Sequence, residues 1–418
     1  KPESVKLWID ESLNGNWKIV DEQPIDYLTA TVLFELEEWP RYKLIPFKVD
    51  SGEFEREGLF RAEPMEGSIL KDVGLSCHRD IGWPWKEAIS EVISHDPDLV
   101  IFTGDQIYEN DYGSPKFLAK TKKEVPKGMK NYLYKYRKFG EAFHELMRDR
   151  PTIMITDDHD VFLSDLWGNG AALIESKRTS GGYPAHPDWV NAAEFTQTGH
   201  LPDPVNPGPH GAGIKSYYTS LEYGGVQFAI LEDRKWKSPP SKVLKKQIIP
   251  RGVELPKKLR NHTGIEVVLD PDFDCTKLDD PQLHLLGKDQ EEFLADWSRG
   301  LKESGQIGAV ISASPWIHVA MYSATFADLD SNAGPNLPET EHSGPLGMHP
   351  LSCYMAMFTS EPLADTEWMS SMMDLSPIHF LLFLPPRAEF GNRWKRGRTA
   401  NPELPTIPVN FTIASATR

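Results

Sequence analysis

The clearest pattern in the chain is Leu99 to Thr103, LVIFT, an unbroken run of apolar and β-branched positions. A run without polar alternation predicts a strand buried on both faces, as in a parallel sheet. Its neighbours fit that frame. Ile69 to Ser76 reads as a strand. Pro84 to His95 reads as a helix with Trp85, Ile89, Val92 and Ile93 on one face. Tyr132 to Arg148 reads as a second helix, with Phe139, Phe143, Leu146 and Met147 along one stripe, and Thr152 to Thr156 as a third strand. Successive strand–helix units predict an α/β sheet whose strand ends line one active edge.

Outside this block the pattern changes. Residues 1–68 look β-rich, with strands at Leu28–Leu36 and Arg41–Val49, and predict a small sandwich-like module without chemistry. Tyr183 to Gly213 is dense in Pro, Gly and Asn and predicts a surface excursion covering the site. Ser216–Leu221 and Val226–Leu231 flank Gly224-Gly225 and predict a β-hairpin, and Lys235–Arg260 a solvated basic loop. Asp289–Glu303 predicts a helix with Phe293, Leu294, Trp297 and Leu301 inward, and Ile307–Ser312 a strand. Two further strands are expected at Phe380–Leu384 and Val409–Ile413. The resulting division is 1–68, 69–390 and a C-terminal tail at 391–418 with the last strand.

Composition narrows the function. A formal net charge of −16 over 418 residues, with no basic stripe, argues against nucleic acid as a partner but not against a small phosphorylated substrate. Three cysteines, Cys77, Cys275 and Cys353, make no disulfide framework. No stretch reaches the roughly eighteen apolar residues of a membrane span.

The chemistry gathers at predicted strand ends: Cys77, then Gly104-Asp105 with Tyr108 and Glu109, then Asp157-Asp158-His159-Asp160. Each has a plain alternative. A strand-end Cys is commonly a small apolar residue, a lone Tyr a packing aromatic, and an acidic run a helix cap. Their coincidence at three successive strand ends favours a metal site. Cys and Tyr are anionic ligands suited to ferric iron or zinc, while carboxylates take almost any divalent ion. An Asp between two ions can bridge them, and two ions about 3.5–4 Å apart can activate water and brace a displacement at phosphorus. His159 could then protonate a leaving alkoxide. His78, His95, His144 and His200 have no supporting pattern and read as structural or surface residues.

These blocks, LSC before the first loop, DLVIFTGDQIYE, ITDDHDVFLSDLWG, FAILEDRKWKS and LLGKDQEEFL, together resemble the alkaline phosphatase D (PhoD-like) family. That family belongs to the calcineurin-like metallophosphoesterase superfamily, and the resemblance covers roughly Asp72 to Asn332. It implies an αββα two-sheet sandwich behind a small N-terminal β-rich domain of immunoglobulin or fibronectin type. It also implies an extracytoplasmic enzyme (periplasmic, secreted or on the cell surface) that hydrolyses phosphate mono- or diesters with metal-activated water. Carried over position by position, Cys77, Asp105, Tyr108 and Asp158 fall on metal-ligand positions and His159 on the catalytic histidine. Iron and calcium are the implied ions, with zinc or manganese as alternatives. Arg234, in a block whose role is unassigned, is a candidate substrate contact.

The sequence departs from the family after Asn332, where the expected GD-x-H element is not found. His342, His349, Ser360, Glu361, Asp374 and His379 are the candidates to replace it, and the backbone near Met355–Pro362 is expected to approach the metal edge. This departure keeps a second class open, a non-catalytic structural or surface-assembly protein on the same fold, with self-assembly as its partner chemistry.

Overall fold

The computed structural model describes residues 3–36, 39–163, 166–175, 180–239, 284–313, 378–380 and 411–414. The chain begins with β1 (Ser4–Ile9), β2 (Lys18–Pro24), β3 (Ile45–Asp50) and β4 (Glu55–Phe60), one antiparallel sheet in the order β2-β1-β3-β4. Val5, Leu7 and Ile9 alternate inward along β1. The described residues thus hold a single N-terminal sheet and not a two-sheet sandwich. The expected strand at Leu28–Leu36 is also absent. Asp26 turns the chain there by accepting the N–H of Leu28 at 2.8 Å, and Ala30 takes a left-handed φ of 54°. This sheet is tied to the rest through Glu63, which binds Arg41 at 2.6 Å and accepts the Gly224 N–H at 2.8 Å.

Then come β5 (Leu70–Leu75), α1 (Lys86–Ser94), β6 (Leu99–Thr103), α2 (Val125–Arg148), β7 (Thr152–Ile155) and α3 (Pro187–Thr198). They are followed by β8 (Thr219–Tyr223), β9 (Val226–Ile230), a helix here called α4 (Lys288–Ser304), β10 (Ile307–Ile311), β11 (Ile378–Phe380) and β12 (Phe411–Ala414). One sheet runs β12-β5-β6-β7, with β5, β6 and β7 parallel and β12 antiparallel to β5. The other runs β11-β10-β9-β8, with β9, β10 and β11 parallel and β8 returning as a hairpin.

The unbroken β6 run serves two cores at once. Val100 and Phe102 pack under the helices with Ile89 of α1, Phe139 and Phe143 of α2 and Trp189 of α3. Leu99 and Ile101 pack the other way, against Phe228, Ile230 and Ile311 of the second sheet. Each such side chain contributes about 1.5–3 kcal/mol on burial. Helix α4 covers the outer face of the second sheet: a Cβ at Gly308 would lie 2.2 Å from Leu301 and 2.9 Å from Trp297. The layers are therefore helix, sheet, sheet, helix. Among the described residues no helix is long and apolar enough to cross a membrane.

Helix α3 lies where a loop is expected. Its Trp189, Val190, Ala192, Ala193, Glu194, Thr196, Gln197 and Thr198 are all buried. A helix enclosed on nearly every side shows no polar stripe, so its 3.6-residue period is invisible. The C-terminal candidates His342, His349, Ser360, Glu361 and Asp374, and the stretch Met355–Pro362, lie outside the described residues. So does the side chain of His379, whose backbone forms part of β11.

Candidate functional site

Because β5, β6 and β7 run parallel, their carboxyl ends open on one edge. There β5 leads to Cys77, β6 to Gly104-Asp105 and β7 to Asp157-Asp158. The loops are held unusually close. A Cβ on Gly104, at φ +100°, would stand 2.3 Å from the Asp157 Cβ and 2.8 Å from its nitrogen, so only glycine fits. Cys77 and Asp105 also take left-handed φ values of 63° and 58°. Such strain in non-glycine residues costs about 1–3 kcal/mol each and persists only where the surroundings enforce it.

The enforcing group is Asp160. Its carboxylate, fully buried, accepts the N–H of Asp105 at 2.7 Å, of Gln106 at 3.1 Å and of Asp157 at 2.9 Å. Gln197 of α3 donates to it at 2.9 Å. One carboxylate thereby locks two strand-end loops to each other and to a helix, which presents Asp105 and Asp158 side by side.

Asp105, Asp158 and His159 each offer a ligand atom within 4.8 Å of the others. Tyr108 donates its hydroxyl to Asp105 Oδ2 at 3.1 Å, and Cys77 Sγ lies 3.7 Å from the same oxygen. The His159 N–H reaches Asp105 Oδ1 at 3.2 Å. All the residues singled out at the three strand ends are thus in one place, and Cys77 is not turned into an apolar core. His78, by contrast, is buried among Trp85, Phe102, Phe139 and Phe143, where desolvation lowers its pKa to about 3 and keeps it neutral.

The electrostatics are those of a buried acid cluster. Burial, opposed by His159 and reinforced by Asp158, Asp157 and Asp160, holds the Asp105 carboxyl well above its ordinary range. Burial pushes Asp157 up to about 7 in spite of Arg234, and Asp160 up to about 6 in spite of its N–H donors. Burial and then the Asp105 charge also raise the Cys77 thiol. A bound cation would oppose the shift of Asp105, since it stabilises the ionised form of every ligand it meets. The carboxylate donors suit hard ions, and the imidazole and thiol donors suit softer ones such as iron or zinc.

Arg234, at the end of β9, is buried. Its Nε and Nη2 bind the two oxygens of Asp157 at 2.5 and 3.1 Å, and Nη2 lies 3.6 Å from Asp158. Expected as a substrate contact, it has its guanidinium engaged by Asp157. Two partners had no role assigned to them in the sequence. Glu109 Oε2 meets His159 Nδ1 at 2.7 Å, and His159 stacks on Tyr108 with ring centroids 4.1 Å apart. Although burial acts to raise it, contact with His159 brings the Glu109 carboxyl below its ordinary value. Lys237 is a buried cation behind the same loop, lowered to about 8 by burial and Arg234. The adjacency of Tyr108 and Glu109 was the available signal for the first; the second lies in the FAILEDRKWKS block, and the burial of Lys235 and Lys237 corrects the expectation that a solvated loop begins at Lys235.

The model of the PhoD-like phosphatase family matches residues 73–333. No curated protein matches the chain. Among solved structures, a PhoD structure is similar at 18% identity and a TM-score of 0.47, covering 74% of this chain and 56% of that one. Purple acid phosphatase PPD1 from seeds of yellow lupin (Lupinus luteus) is similar at 12% identity and a TM-score of 0.39, covering 82% of this chain and 50% of that one. The chain thus spans only about half the length of the solved structures it matches.

Proposed function

The chain belongs to the PhoD-like phosphatase family, and on that premise we propose that it hydrolyses phosphate mono- or diesters with the help of metal ions held at the strand-end edge. The observation that carries this reading is the convergence of Asp105, Asp158 and His159 within 4.8 Å, with Tyr108 and Cys77 on the Asp105 carboxylate. Asp105, Asp158, Tyr108 and Cys77 would hold the metal, with iron and calcium as the first candidates. When bound, such an ion lowers the pKa of water and withdraws charge from phosphoryl oxygens.

The chain's own residues do the rest. Asp160 fixes the two ligand loops. Arg234 holds Asp157 so that Asp158 keeps its place, and we assign it to positioning. Glu109 binds His159 Nδ1 and so orients the ring, leaving Nε2 for a proton bound for the leaving oxygen. Tyr108 supports the ring face from below.

The test is steady-state hydrolysis of 4-nitrophenyl phosphate and bis(4-nitrophenyl) phosphate. Turnover of either is the expected result. A metal-loaded protein that cleaves neither would favour the structural or surface-assembly reading.

A further inference from the structure

Gln197 of α3 is fully buried, and every polar atom of its amide is in use. Its Oε1 accepts from Gln106 Nε2 at 2.8 Å, while its Nε2 donates to the Tyr132 hydroxyl at 3.0 Å and to Asp160 Oδ1 at 2.9 Å. Its partners are fixed in turn. The Tyr132 hydroxyl, from α2, lies 2.8 Å from Thr196 Oγ1 and 3.2 Å from the Ala193 carbonyl, both on α3. Gln106 Nε2 also donates to the Ile155 carbonyl at the end of β7, at 2.8 Å. With Gln197 counted, the Asp160 carboxylate has four donors. The N–H groups of Asp105 and Asp157 meet its Oδ2, and the Gln106 N–H and Gln197 Nε2 meet its Oδ1. An ionised carboxylate offers about four lone-pair sites. Asp160 is therefore spent on holding loops.

We infer that Gln197 is a positioning residue for the cation site: through Asp160 it fixes the spacing of Asp105 and Asp158, and so sets which size of cation the pair holds best. This rests on the metal-dependent reading above. Asp160 accepts the N–H of Asp105 itself and that of Asp157, the neighbour of Asp158, so any shift of its carboxylate moves both ligand residues. Three of its four donors belong to the loops that it holds, and Gln197 is the one that comes from a helix. Without that donor the carboxylate follows the loops and no longer anchors them. Cations differ in the spacing they ask for. Oxygen ligands stand at about 2.3–2.6 Å from calcium, and at about 2.0–2.2 Å from zinc. Loops held at one spacing discriminate between two such ions, and slack loops discriminate less.

The experiment is calorimetric titration of calcium, and separately of zinc, into the chelator-treated full chain. The native protein should prefer one of the two. Gln197→Met keeps the length of the side chain and loses the amide. It should weaken the preferred ion by about tenfold, the scale on which groups behind the ligands act, and the other ion less, so that the ratio of the two Kd values moves toward one. Val190→Ala removes buried volume from the same helix without touching the network, and should leave the ratio as it is. Tyr132→Phe takes away one acceptor of Gln197 Nε2 and should move the ratio in the same direction by less. It decides the matter if Gln197→Met does not fold. If the native protein binds without preference, if Gln197→Met (or, in its place, Tyr132→Phe) leaves the ratio unaltered, or if Val190→Ala moves it as much, the inference falls and the phosphoesterase reading stands. If the native protein binds neither ion, the inference also falls, and the hydrolysis assay above decides the phosphoesterase reading separately.

Discussion

Two groups of charge are buried in this molecule to a similar depth, and they are built differently. Around Lys235 the group is closed. Its Nζ meets Glu194 at 2.9 Å, Glu232 at 3.2 Å and the Lys215 carbonyl at 2.5 Å, and it lies over the Tyr183 ring. Burial acts to lower the Lys235 pKa, but the two glutamates reverse this and hold it above its ordinary value. At the strand ends the group is open. Asp105, Asp157, Asp158 and Asp160 are all buried, while Arg234 is committed to Asp157. Asp105 accepts from the Tyr108 hydroxyl and the His159 backbone N–H, with Cys77 Sγ beside it. A buried charge must be answered, by an internal partner or by something the protein binds. The closed group is answered from within, whereas for the open group we propose that a bound cation completes it.

The largest effect is expected at the centre of the open group. Asp105→Asn keeps the shape but removes the carboxylate, and phosphoester turnover should fall about 10⁴-fold or more, as when a member of a catalytic unit is lost. Retention of even a tenth of the native rate would refute a central role. In the closed group, Lys235→Met leaves two glutamates facing each other without a cation. Stability in urea should drop by about 3–5 kcal/mol, with metal content unchanged in the folded fraction. An unaltered unfolding midpoint would show that the group is not an ion pair in any useful sense.

His159→Ala should retain metal and lose about 10²–10³ in rate for alkyl esters, with a smaller loss for nitrophenyl esters, whose leaving group needs little protonation. Equal losses for both would move His159 from proton transfer to charge stabilisation.

The smallest effect sharpens the contrast with an acid that belongs to neither group. Asp72 of β5 shares the inter-sheet face with Leu70, and its Oδ2 has no hydrogen-bond partner among the described residues. Burial raises its pKa from 3.8 to about 6. For an acid with a raised folded-state pKa, the folded state binds the extra proton, so stability is lost as pH rises from about 4 through about 6. Asp72→Asn should therefore stabilise the protein by about 2–3 kcal/mol above pH 6 and by little at pH 4. Denaturant titrations at the two pH values would show it, and a pH-independent difference would contradict it.

The sequence made some of this legible and hid the rest for physical reasons. The β6 run is apolar at every position because both of its faces are buried, so it could be read directly. The three strand-end clusters were legible because residues with a plain structural reading one at a time recur at three successive strand ends. Helix α3 was not, since burial on almost every side erases amphipathic period. Strand β2 was not either, being the exposed and mainly polar edge of its sheet. The Asp160 clamp was visible as a letter in Asp157-Asp158-His159-Asp160, but its role depends on backbone N–H groups from a loop more than fifty residues away. Arg234 was visible as a charge, but only the fold reveals that Asp157 claims it.

The central claim is that the open acid group is a cation site, and thermal unfolding of the chelator-treated protein tests it without reference to any substrate. Adding calcium, iron, zinc or manganese should raise the melting temperature for at least one ion. A ligand at a hundred times its Kd contributes about 2.7 kcal/mol. The same ion should leave Asp105→Asn unmoved. A native protein whose melting temperature responds to none of the four, or responds equally with Asp105 replaced, would contradict the account.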